Sequence, residues 1–149
     1  MLNGMTAPVP RLLAAHTLLG LRKAPRTALG WIDVIREGVS ASAAGRLTAH
    51  LDWSLAELAQ ALDLPLRTLH RHRGAGTRFF KGEAERLVRL AQVLERAQAV
   101  FGAPEKSAAW LGGEIPGLGG RAPRELLDTD AGATLVLSEL DRLEHGIFS

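Results

Sequence analysis

Between Leu66 and Arg73 the chain reads LRTLHRHR, which sets Arg67, Thr68, His70, Arg71 and Arg73 around the apolar Leu66 and Leu69. A guanidinium can bond guanine O6 and N7 together in the major groove, and Arg or Thr also grips phosphate, so these residue types suit nucleic-acid readout. Arg67, Thr68 and Arg71 are the base-facing candidates, with His70 beside them, whereas Arg73, Arg78 and Lys81 suit phosphate. A solvated basic helix is the competing account.

Other chemistries find less support. His70 and His72 point apart on a helix, and His16, His50 and His145 are isolated, so no metal site is expected. The absence of Cys removes disulfides, thiolate zinc sites and cysteine nucleophiles together, in keeping with a reducing cytoplasm. Gly117-Leu-Gly119-Gly-Arg-Ala122 formally fits a dinucleotide fingerprint, but no strand precedes it and Pro116 and Pro123 bracket it. Its glycines are better read as turn residues beside a packed Trp110. Trp31 and Trp53 are likewise read as packing residues. Asp128 and Asp130 flank a helix cap, where the helix dipole favours negative charge. No catalytic residue, cofactor or small-molecule substrate is expected.

The elements that position the basic cluster form a helix-turn-helix over Ser54–Arg73. Ser54 and Glu57 make a capping-box pair, Leu55, Leu58 and Leu62 give the first helix an inner face, and Ala59 is small where the helices approach. Leu64 sits in the turn and Leu69 anchors the second helix. Asp63 stands where Gly is common and Pro65 where Ser or Thr usually caps, forgoing a cap of about 1 kcal/mol. Further helices are expected at Arg11–Leu19, at Ala28–Glu37 behind Thr27, at Ala41–Leu51 behind Ser40, and at Glu83–Phe101 before Gly102. Leu29, Ile32 and Ile35 predict burial of the second over a broad face. Residues 1–10, with Pro8 and Pro10, read as a mobile leader. Few aromatics and no β-branched runs point to an all-α fold, and no segment is apolar for long enough to span a bilayer.

Charge is polarised along the chain. Residues 1–49 carry six Lys/Arg against two Asp/Glu, for +4; residues 50–100 carry eight against six, for +2; residues 101–149 carry four against eight, for −4. A basic front suits a polyanion and an acidic rear suits a protein, although solvated helical faces produce similar imbalances.

The last quarter begins a helix at Pro123, ends it near Thr129, and starts another capped by Thr129 through the N–H of Gly132. Ala131, Leu135, Val136, Leu140 and Leu143 should face inward, Glu139 and Asp141 outward, and Gly146 should stop the helix. Ile147 and Phe148 would then form a tail that either folds back or inserts into a partner.

The ordered set Trp110, Leu111, Gly119, Gly120, Pro123, Glu125, Leu126, Leu127, Thr129, Gly132, Leu140, Leu143 and Gly146 resembles the C-terminal toxin-binding domain of Xre-type antitoxins, the family that includes ParS and MbcA proteins. The resemblance extends from about Ser54 to the end. It implies a type II antitoxin: a helix-turn-helix DNA-binding and dimerisation domain over 11–82, then a connector helix and small helical toxin-binding domain over 83–149. The implied partners are a RES-type toxin that degrades NAD, operator DNA and a second copy of the chain, with no membrane. The toxin contacts it suggests are Arg121, Glu125, Asp141, Arg142, Leu143, His145, Gly146, Ile147, Phe148 and Ser149. A stand-alone transcriptional regulator is the alternative, and an enzyme using the Gly-rich loop a more distant one.

Overall fold

A computed structural model describes residues 12–72 and 76–148, with Ile147 and Phe148 described by their backbone alone. The leader expected over residues 1–10 lies outside the described residues, as do Arg11, Arg73 and Ser149. The described residues form eight α-helices: α1 (Ala15–Leu18), α2 (Ala28–Glu37), α3 (Ser42–Leu51), α4 (Leu55–Leu62), α5 (Leu66–Arg71), α6 (Lys81–Phe101), α7 (Pro104–Gly112) and α8 (Asp130–Phe148). Two short 3-10 turns, Pro116–Leu118 and Pro123–Leu126, join α7 to α8.

The long helix α6 is the axle. Leu87, Val88, Leu90, Ala91, Val93, Leu94 and Ala97 are buried around more than one of its faces, as expected of a helix enclosed by others. It touches α1, α2, α3, α4, α7 and α8, and residues from Ala15 to Leu140 share one hydrophobic cluster. Its start falls two residues earlier than predicted, and its end at Gly102, with φ of 75°, is where the sequence put it.

The all-α expectation holds, with one addition: β1 (Val39–Ser40) pairs antiparallel with β2 (Arg78–Phe79). Two-residue strands carry no periodicity that a sequence could reveal. Ser40 therefore belongs to β1 and does not cap α3, its hydroxyl lying 2.8 Å from that of Ser42. The first helix is shorter than predicted because Ala14 is extended, and its N-terminus is closed from outside. The Ala15 N–H donates to Glu95 Oε2 at 2.8 Å and the Leu13 N–H to Gln98 Oε1 at 2.8 Å.

The bounds of α2 match the prediction, and Thr27 caps it through the Gly30 N–H at 3.0 Å. Its burial does not match. No residue of α2 is fully buried, and Leu29 is 73% exposed, because among the described residues α2 packs mainly on α6, through the face bearing Trp31, Val34 and Ile35. Helix α7, with Pro104 in its first turn, was not read from the sequence. It folds back so that Trp110 meets Phe101 with ring centroids 5.6 Å apart.

Two expectations for the last quarter are corrected. The segment beginning at Pro123 is a single 3-10 turn, since Thr129 already caps α8 by accepting from the Gly132 N–H at 2.9 Å. Helix α8 runs through Gly146 to Phe148, so Gly146 is not a stop and the backbone of Ile147 and Phe148 continues the helix. A glycine inside a helix costs about 1 kcal/mol of propensity, which weakens it without breaking it.

Candidate functional site

The helix-turn-helix is built as its residues dictate. Ser54 Oγ accepts from the Glu57 N–H at 3.1 Å, while the Ser54 N–H donates to Glu57 Oε1 at 2.9 Å, closing the capping box. Asp63 turns the chain with φ of 53°, and Pro65 precedes α5 with no side-chain cap. Leu58, Ala59, Leu62 and Leu69 are buried between the helices.

Burial of Leu69 turns Arg67, His70 and Arg71 to solvent together on α5. Thr68 is corrected: it is only 5% exposed, because it shares the inner face with Leu69, and it cannot face bases. Lys81 is exposed at the start of α6. Arg78 is exposed on β2, but its Nη1 donates to the Gly38 carbonyl at 2.8 Å, so part of its donor set is committed. Behind α5, His72 rests on Phe79 with ring centroids 4.3 Å apart, and Thr77 Oγ1 donates to the His72 carbonyl at 3.1 Å.

The second surface lies on α8 and the turns before it. Gly132, Ala133, Val136 and Leu140 face inward, while Ala131 and Leu135 do not; Leu135 is 57% exposed. The phase is set at Gly132, where a Cβ would overlap the carbonyl oxygen of Leu126. That contact draws Ala133 and Val136 inward and turns Leu135 out. Glu139, expected outside, is 7% exposed because it sits beneath Gly117, where a Cβ would overlap its carboxylate. Arg142 clamps Glu139 through Nε at 3.0 Å and Nη2 at 2.6 Å, which holds the Glu139 carboxyl below its ordinary value and raises that of Arg142.

Of the sequence-derived contact set, Arg121, Glu125, Asp141, Arg142, His145 and Gly146 are exposed, and Leu143 is half-buried. The side chains of Ile147 and Phe148, and all of Ser149, lie outside the described residues. Asp141 accepts from Arg96 at 2.8 Å, and Arg96 also pairs with Glu144. The Glu144 carboxyl is lowered chiefly by that hydrogen bond. Arg96 and Glu144 were given no contact role from the sequence, where each looks like part of an ordinary polar face, and Glu139 was expected only as an outward acid. Among the described residues, no three metal-type side chains cluster and no helix is long and apolar enough to cross a membrane.

A further pair joins the two surfaces. Arg124, in the Pro123–Leu126 turn, donates from Nη1 to Glu57 Oε2 at 2.5 Å, and its guanidinium carbon lies 5.8 Å from the Trp53 ring centroid. The Glu57 carboxyl is lowered first by the Ser54 N–H and then by Arg124.

Comparison with known proteins matches both surfaces. Residues 30–92 match the family described as Antitoxin Xre-like helix-turn-helix domain. Residues 96–146 match that described as Antitoxin Xre/MbcA/ParS C-terminal toxin-binding domain. The chain is 34% identical over 143 residues to Antitoxin Xre of Yersinia enterocolitica serotype O:8 / biotype 1B, covering 95% of each. It is 27% identical over 117 residues to Antitoxin Xre of Photorhabdus laumondii subsp. laumondii, covering 78% of this chain and 79% of that one. It is also 30% identical over 127 residues to a protein of a Sphingobium species named Prs ADP-ribosylating antitoxin, covering 79% of this chain and 80% of that one.

Proposed function

The chain belongs to the Xre antitoxin family, toxin–antitoxin antitoxins that carry a helix-turn-helix domain and a toxin-binding domain, and from that premise we propose that its partner is a RES-type, NAD-degrading toxin. Inhibition is steric: α8 and the turns before it dock on the toxin and bar NAD from its active site, with no turnover by this chain. The name of the Sphingobium relative couples an antitoxin to ADP-ribosylation, a chemistry that consumes NAD, and supports a toxin of that type. A nanomolar complex needs about 12 kcal/mol, supplied by a few buried anchors. Leu143, Ile147 and Phe148 are assigned that role, with Arg121, Glu125, Asp141, Arg142, His145, Gly146 and Ser149 around them.

The front half represses the operon. Arg67, His70 and Arg71 read operator bases, and Arg73, Arg78 and Lys81 hold phosphates. Two recognition helices presented to paired half-sites require a dimer. The exposed Leu29 and Ile32 of α2 give the N-terminal helices an apolar face suited to that contact. The division of labour falls near residue 82, within a shared core, and the complex works in the cytoplasm.

The observation that carries the reading is the match over residues 96–146 to a toxin-binding family, on a helix whose outer face is unpacked. A regulator without a toxin leaves that match unexplained. The test is co-expression of the chain with its adjacent open reading frame, followed by pull-down and measurement of cellular NAD. Co-purification with NAD preserved, and collapse of NAD when the chain is omitted, is expected. Toxicity without loss of NAD would overturn the RES assignment.

A further inference from the structure

Helix α5 shows four side chains to solvent, Leu66, Arg67, His70 and Arg71, and turns Thr68 and Leu69 inward. At 3.6 residues per turn the outer four form two rows, one of Arg67 and Arg71 and one of Leu66 and His70. Three of the four carry hydrogen-bond donors suited to base edges. Leu66 is the exception. It is 39% exposed and stays outside the hydrophobic cluster that takes in its neighbours Leu64 and Leu69. Leu69, only 2% exposed, already anchors α5 on α4, so packing gives no reason for a leucine at position 66.

Its place on the helix does give one. Leu66 is the first residue of α5, directly after Pro65. A recognition helix reaches base edges with the residues at its N-terminal end. Of the groups by which the four unmodified bases are told apart in the major groove, one alone is apolar, the 5-methyl of thymine. An alkyl side chain on this face therefore has a single complementary target. A cytosine in the same place would set its N4 amino donor against the side chain and leave it without a partner.

We propose that Leu66 is a specificity determinant of the operator contact: its side chain lies against the 5-methyl of one thymine in each half-site, selecting T·A and rejecting C·G at that position. This rests on the proposed reading of α5 as the operator contact. The half-site is then read in two ways from one face, by the hydrogen bonds of Arg67, His70 and Arg71 and by the apolar contact of Leu66.

The test uses the full chain and a duplex spanning its own promoter. Thymines of the protected region are replaced one at a time by uracil, which removes the 5-methyl and leaves the base pair and its O4 acceptor in place. The unaltered chain should lose about fourfold in affinity at one thymine of each half-site, the effect of one lost methyl contact. It should lose at least about tenfold when that pair becomes C·G. Leu66→Ala should bind the unmodified duplex about fourfold more weakly and be indifferent to uracil at that position. Leu66→Met, which keeps an apolar side chain of similar size, should stay sensitive. Sensitivity to uracil that persists in Leu66→Ala, or a promoter in which no thymine is sensitive, overturns the thymine contact alone. A promoter that the unaltered chain does not bind, or that is bound equally well after Arg67 and Arg71 become Ala, overturns the operator reading and the contact with it. Should Leu66→Ala fail to fold, Leu66→Gln makes the same comparison.

Discussion

Changing Gly132 to Ala and Gly45 to Ala should move stability in opposite directions, although both glycines lie inside helices. Alanine gains about 1 kcal/mol over glycine from backbone entropy at either place. At Gly45, exposed on α3, a Cβ meets nothing within 4 Å, so about 0.5–1 kcal/mol of that gain should survive. At Gly132 the Cβ would overlap the Leu126 oxygen and lie 2.7 Å from its carbonyl carbon and 3.0 Å from Thr129 Oγ1. Carbon atoms prefer about 3.5–4.0 Å, and the obstructing atoms at Leu126 are backbone, so α8 or the turn must shift. Overpacking of this kind costs about 1–3 kcal/mol, and the shift strains a cap bond worth about 1 kcal/mol more. A net loss of about 1–3 kcal/mol follows for Gly132→Ala. At about 2–4 °C per kcal/mol, Tm should fall by several degrees, against a small rise for Gly45→Ala. Thermal and urea unfolding followed by circular dichroism, with the urea slope unchanged, would measure both. A Gly132→Ala variant as stable as the unaltered chain would refute the close seating of α8 on the turn.

Replacing Arg67 and Arg71 together with Ala should weaken promoter binding at least about tenfold in gel shifts and leave toxin binding intact, since a good base contact is worth about 1–3 kcal/mol; unchanged shifts would remove α5 from the operator. Deleting Ile147 to Ser149 should release the toxin, read as falling NAD, with duplex affinity preserved, and parallel loss of both would end the division of labour. The Glu57, Glu139 and Glu144 carboxyls are all held below their ordinary 4.5 in the folded chain. The stability they contribute is thus present above that value and is lost as pH falls from about 4.5 through the folded values. Tm measured against pH should decline on acidification, less steeply in Glu139→Gln, and a rise would contradict the sign.

Elements with local chemical signatures were legible in the sequence. Thr27, the Ser54–Glu57 box, Gly102 and the Thr129 bond to Gly132 each depend on a few neighbouring residues, and all form as expected. What failed depends on distant contacts. Leu135 and Val136 are adjacent, so apolar spacing alone allows two phases for α8, and the choice is made by the carbonyl at Leu126. Glu139 reads as a surface acid until Gly117 and Arg142 enclose it. Thr68 reads as a DNA contact until Leu69 fixes which way α5 faces. The spacing of Leu29, Ile32 and Ile35 marks an apolar face on α2 but not which part of it another element covers, and Leu29 stays exposed. Arg124 and Glu57 are 67 residues apart, a separation at which no spacing rule operates.

The closing of α1 by Glu95 and Gln98 has a consequence for synthesis. Four residues are too few to nucleate a helix alone, and its first amides find their acceptors 80 and 85 positions downstream. As the chain leaves the ribosome, those amides have no acceptor until most of α6 has emerged, even though α3 and the Arg46 guanidinium, which meet the other end of α1, are made earlier. Leu18 and Leu19, buried at the end, cannot be fully covered during that interval. A fragment ending before Glu95 would thus lose its first helix as well as its last.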